Sequence, residues 1–176
     1  MNQIYKIRPL ILIVAGLVVC ALAYEKFGPL ENQVVVKRLN VELPIGESKT
    51  WDFLWGNFAN KPEAEKFGGE SGVGWEDKFH KYESKLISKA YWKNLDSNAL
   101  KNCLAEVFED AKTVNTNLAY LPVGAYATKQ GTNDVWIIVV KWECFGFIEN
   151  GASLGHIRMF AFDAKKHTII GFSTCM

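Results

Sequence analysis

Read for its apolar and polar positions, the chain shows one uninterrupted apolar run followed by a series of shorter periodic ones. The run extends from Pro9 to Tyr24 without a charge. Beyond it, Val35, Leu39, Val41 and Leu43 alternate with Arg38, Asn40 and Glu42, a period of two that predicts a half-buried strand ended by Pro44 and Gly46. In TWDFLWGNF, Thr50 stands as a cap before Trp51, Leu54, Trp55 and Phe58, the i, i+3, i+4, i+7 spacing of a short helix. That aromatic stripe is expected in the core. Residues Asn60 to Gly74 hold Pro62 and four glycines and are expected to form a loop.

Two amphipathic helices are predicted next. The first begins near Trp75, with Phe79, Tyr82 and Leu86 on one face. Glu76 and Asp77 lie in its first turn and Lys89 and Lys93 in its last, charges that complement the helix dipole. The second is capped by Asp96 or Ser97, and its Leu100, Leu104, Val107, Phe108 and Ala111 make the clearest helical stripe in the chain.

The remainder reads as a β-meander. LAYLPVGAYAT contains Pro122, which suits an edge strand or a strand end because proline donates nothing to a ladder. DVWIIVVKWECFGFIE then runs into Asn150-Gly151, the dipeptide that most favours a two-residue hairpin turn. With that turn as the loop, Glu143 faces Arg158 and Trp142 faces Met159. Trp136, Ile138, Val140 and Trp142 then share a core face with Ile157, Met159 and Ala161, and Lys141, Glu143, His156 and Arg158 lie on the other. A last hairpin turning at Lys165-Lys166, or over the four residues Ala164 to His167, sets His156 opposite Cys175 and Arg158 opposite Ser173. The expected fold class is α+β: an N-terminal membrane or signal helix, then one domain with helices on one face of an antiparallel sheet. Its boundaries are 1–24 for the signal-anchor or signal peptide, 25–33 for a linker containing Gly28-Pro29, and 34–176 for the domain.

From about Leu95 to Cys175, the order of helix then antiparallel strands, with FDAKKHTIIGF at the last hairpin, resembles the small extracytoplasmic PepSY-type domains. In general shape it is also similar to cystatin-like and nuclear-transport-factor-like sheets. The resemblance implies an outline of the fold and no functional residue.

Lys6 and Arg8 precede the apolar run and no acid appears before Glu25, so the N-terminus is expected in the cytoplasm and the domain outside it. Tyr5 and Tyr24 are separated by about 28 Å of helix at 1.5 Å per residue, the spacing of two interfacial anchors. A retained single-pass anchor over residues 9–24 is therefore the first expectation. Ala21-Leu22-Ala23 offers cleavage near Ala23 and a secreted or periplasmic product as the alternative. Lipidation at Cys20, after Leu17-Val18-Val19, ranks third.

About half of the 176 residues are apolar, enough for one core in the part beyond the run. With Lys6 and Arg8 set aside, the 20 cations become 18 against 19 acids, and Arg38 and Arg158 are the arginines that remain. That balance carries no nucleic-acid footprint. Cys103, Cys144 and Cys175 are widely spaced and form neither a disulfide scaffold nor a zinc pattern, and no cofactor is expected.

GGESGVGW matches neither a nucleophile elbow nor a phosphate loop. His80, His156 and His167 have no partner at metal-ligand spacing. The hairpin register makes Cys175 and His156 the one catalytic candidate pair, since an imidazolium beside a thiolate activates a cysteine nucleophile. Lys81, Lys85, Lys89 and Lys93 recur at i, i+4, a spacing at which like charges repel. They are read as a solvated face, or as a row that meets an anionic lipid or protein surface. The function expected is that of a membrane-tethered extracytoplasmic binding or accessory domain without catalytic activity, its partner another envelope protein or a small ligand. The alternatives are a cysteine-dependent enzyme using Cys175 and His156, and a single-pass accessory subunit whose anchor makes the contacts in a membrane complex.

Overall fold

A computed structural model of the chain describes residues 34–42, 51, 72–151 and 154–175. The apolar segment 9–24, the linker 25–33 and, except for Trp51, the aromatic stretch TWDFLWGNF lie outside the described residues. Among the described residues no helix is long and apolar enough to cross a membrane.

The unit that contains these residues is α+β. Strand β1 (Val35–Glu42) is followed by helices α1 (Trp75–Trp92) and α2 (Ser97–Glu109), and α2 runs into a π-helical turn (Asp110–Val114). Strands β2 (Leu118–Gln130), β3 (Asn133–Cys144), β4 (His156–Asp163) and β5 (Ile169–Cys175) come next, with a short helix α3 (Phe145–Glu149) between β3 and β4. The strands form one five-stranded sheet in chain order.

Both main helices follow from local sequence. The α1 stripe buries Trp75, Phe79, Tyr82, Leu86 and Ala90, and that of α2 buries Ala99, Leu100, Cys103, Leu104 and Val107. Their junction is tight because Asn94 adopts a left-handed φ of 53° that ends α1, and the Asp96 side chain accepts from Ala99 N at 2.9 Å to begin α2. Phe108 packs at 5.0 Å from Phe79 and 5.5 Å from Trp75 between ring centroids, which locks the two helices together.

The sheet departs from expectation in two ways. The meander from β2 to β5 is antiparallel, but β1 pairs parallel with β2, so the sheet is mixed. The long excursion through α1 and α2 permits this, since a parallel pair needs a crossover and a hairpin cannot supply one. The buried positions at the start of the β1 segment are Val34 and Val36, not the odd-numbered set, and Lys89 Nζ reaches from α1 to donate to Val34 O at 3.0 Å.

The second departure is register. Helix α3 occupies Phe145 to Glu149, and Asn150-Gly151 finishes it, with Gly151 at φ 87° and its N–H donating to Ile148 O. The dipeptide is thus a helix C-terminus rather than a hairpin loop. Trp142 consequently pairs with His156, Val140 with Arg158 and Trp136 with Phe162. At the next hairpin Asp163 Oδ1 accepts from Lys165 N and Lys166 N, and His167 takes φ 57°, so the loop runs from Ala164 to Thr168 and Arg158 pairs with Thr174. The two shifts cancel for β5. Only β4 changes sides: His156, Arg158, Phe160 and Phe162 share a face with Trp136 and Trp142, while Ile157, Met159 and Ala161 share the opposite one. The central strand β3 is buried without a break from Val135 to Glu143, so the second face is not a polar one.

Candidate functional site

Four residues form a row across the sheet: Arg38 on β1 pairs with Ala127, Ala127 with Trp136, and Trp136 with Phe162. Over this row the α1–α2 junction places Leu95 and Asp96, and beside it lie the β2–β3 turn and the β4–β5 turn. Together they enclose an open groove of about 920 Å³. Leu95 and Trp136, buried, and Ala127, half-buried, make an apolar patch within a lining that is otherwise largely polar.

The rim is charged, and three of its carboxylates hold backbone N–H groups. Glu42 Oε1 accepts from Gly131 N at 2.6 Å, which ties the end of β1 to the β2–β3 turn. Asp96 caps α2. Asp163 is held below the usual carboxylate range by the N–H of Lys166, then by that of Lys165 and the charges of both lysines. Asp134 lies 3.8 Å from Lys129, both exposed, and its carbonyl accepts from Ala164 N at 2.9 Å. That last bond fixes the β4–β5 turn against the start of β3. Arg38, Lys165 and Lys166 are exposed and make no side-chain hydrogen bond or salt bridge among the described residues. The groove therefore carries four carboxylates, Glu42, Asp96, Asp134 and Asp163, and four cations, Arg38, Lys129, Lys165 and Lys166.

At the opposite end of the sheet a second polar cluster is closed. The Arg158 guanidinium lies over the Tyr120 ring at 5.5 Å and the Trp142 ring at 5.1 Å, and its Nη1 donates to Tyr120 Oη. Tyr120 donates in turn to Asp110 Oδ2 at 3.1 Å, which also accepts from Asn115 at 2.9 Å, so the chain of bonds clamps the π-helical turn to the sheet. Burial pushes the Tyr120 phenol well above its ordinary value. Arg158 Nε and Trp142 Nε1 are buried and have no hydrogen-bond partner among the described residues. The flanking aromatic ring gives the Arg158 cation a π-face in place of an acceptor. The cluster reads as structural.

The expected Cys175–His156 pairing is not formed. The backbone partner of Cys175 is Ile157, one residue off the expected register. His156 instead stacks on Trp142 at 4.8 Å and lies 3.5 Å from Glu143. Cys103 is wholly buried, and burial first, then Glu106, pushes its thiol up to about 12. Of the histidines, His80 meets Glu83 at 2.8 Å and His167 meets Asn102 at 3.3 Å. Among the described residues no three His, Cys, Asp or Glu side chains are placed to hold a metal ion.

The lysine row of α1 divides. Lys81 and Lys93 are exposed, whereas Lys85 and Lys89 are half-buried, Lys89 being the residue bonded to Val34. The groove residues were not singled out from sequence, although the scarcity of arginine beyond residue 8 and the Asp163-x-Lys165-Lys166 turn were visible signals. Compared with known proteins, the chain matches no family model, no curated protein and no solved structure at a significant level.

Proposed function

We propose that this chain is a non-catalytic binding domain, held on the outer side of a membrane by its N-terminal apolar segment, and that its ligand occupies the groove over Ala127 and Trp136. The groove is the observation that carries the reading. Its volume, about 920 Å³, is of the size that takes small molecules, and it joins a small apolar patch at Leu95, Ala127 and Trp136 to a largely polar and charged lining. The walls are bonded to one another through Glu42, Asp134 and Asp163, so the site is preorganised and little ordering is left to be done by a ligand. The positive flank before residue 9 and the absence of acids before Glu25 support the tether and the outward orientation.

The test is native mass spectrometry of the full chain extracted from membranes, for the wild type and for Ala127→Trp. An intact N-terminal mass is expected, with a small-molecule adduct on the wild type that the groove-filling variant loses. An N-terminus at Tyr24 would remove the tether. An adduct retained equally by both proteins would remove the groove from the reading.

A further inference from the structure

We infer that the end of helix α1, at Tyr91, Trp92 and Lys93, seats on the headgroup layer of a lipid bilayer, which rests on the proposal that the N-terminal apolar segment tethers the chain to one. Tyr91 is 67% exposed and Trp92 65%, and their rings meet edge to face at 5.9 Å between centroids. Neither belongs to the buried stripe of α1, which runs through Trp75, Phe79, Tyr82 and Leu86 and ends at Ala90. Most of each side chain is therefore left in water. Tyrosine and tryptophan each join an apolar ring to one polar tip, and the boundary between a bilayer and water is the setting that satisfies both parts at once.

Charge and position select lipid as the occupant. From Ser84 to Leu95 the chain carries Lys85, Lys89 and Lys93 and no acid. Counting the acids that bracket this stretch, Glu83 and Asp96, it is still net positive, three cations against two. Glu83 meets His80 at 2.8 Å and Asp96 caps α2, so both acids also have partners inside the protein. Lys93 is exposed next to the two rings, and an ammonium on a long apolar stem reaches phosphate while the stem lies with the rings. Lys89 fixes where this end lies, because its Nζ donates to Val34 O at 3.0 Å and so holds the last turns of α1 against the start of β1. From Tyr24, the expected interfacial end of the apolar run, to Val34 is ten residues, at most about 36 Å of extended chain. The end of α1 thus stands at the side of the domain that the tether enters. Two rings and a lysine hold a free protein weakly, but a tethered domain meets the surface at high effective concentration, so contacts of this size suffice.

Tryptophan emission of the full chain, reconstituted into vesicles of phosphatidylcholine and phosphatidylglycerol whose acyl chains carry bromine near the carbonyl end, tests this. Bromine quenches an indole that it touches. The wild type is expected to show a quenched component that Trp92→Phe loses, since the substitution removes one of six indoles and leaves the other five as a common background. Lys93→Gln should shrink that component, and so should added salt. Both positions are exposed, and unchanged urea midpoints will show that the variants are folded. Equal quenching of wild type and Trp92→Phe, with the protein still floating with the vesicles, overturns the lipid contact and leaves the tether standing. An unquenched Trp92 that is shielded from aqueous acrylamide in native membranes overturns it in favour of a protein partner. Protein that does not float with the vesicles overturns the tether and the contact together.

Discussion

Replacing Tyr120 with Phe removes one oxygen atom from the clamp between the sheet and the π-helical turn. The ring remains, so the packing of a wholly buried side chain against Phe160, 6.0 Å away, is kept. Arg158 loses the acceptor of its Nη1, and Asp110 Oδ2 loses one of two donors. A hydrogen bond to a charged group contributes about 1.5–3 kcal/mol. Both charged partners are half-buried and regain some water, so the lower figure applies to each, and the two bonds together amount to about 3 kcal/mol. Freeing the core of a buried hydroxyl returns about 1–2 kcal/mol. The expected net loss is about 1–2 kcal/mol at neutral pH, read as a lower urea midpoint at unchanged slope. The pH dependence supplies a second, independent sign. The folded-state phenol lies above its unfolded value of about 10, so the folded protein holds this proton more tightly. Stability from that difference is fully present below about pH 10 and is lost as pH rises towards the folded value. The Phe variant lacks this loss, and the other titrating groups cancel between the two proteins. The gap between wild type and variant should therefore narrow from about pH 9 to pH 11. A variant as stable as the wild type at neutral pH, or a gap that widens with pH, would refute the clamp.

Two further outcomes follow from the same geometry. Asp96→Ala removes the cap on α2 and should cost about 1 kcal/mol in urea unfolding, most of it restored by Asp96→Ser; an unchanged midpoint would mean the cap bond to Ala99 contributes nothing. In peptide mapping after brief alkylation of the folded protein, Cys144, half-buried, should be modified and Cys103 should stay unmodified until denaturant is added, because a wholly buried thiol pushed up to about 12 supplies almost no thiolate. Equal labelling of the two would show that the α2 face is not packed as described.

The sequence by itself determined what depends on neighbours a few residues apart. The apolar stripes of α1 and α2, the Asp96 cap and the existence of the strands were all legible, because helix period, capping and alternation are local properties. The buried run Val135–Val140 signalled a strand, but a run apolar at every position does not say which face meets the helices. Only the tertiary structure decided that. Asn150-Gly151 suits a hairpin turn and a helix end equally well, since both need a left-handed residue, and the choice turned on Phe145–Glu149 forming α3 with Ile148 buried. That choice moved Arg158 onto the helix-facing side of the sheet. A shift of one residue at the last loop, made by Asp163 and His167, then set the backbone of Cys175 opposite Ile157 instead of His156. The groove was the least legible feature of all. Arg38, Ala127, Trp136 and Phe162 become neighbours only through three strand pairings, one of them parallel and closed across the whole of α1 and α2. No local periodicity encodes such contacts, because in each pairing a single-residue slip exchanges the two faces of the strand.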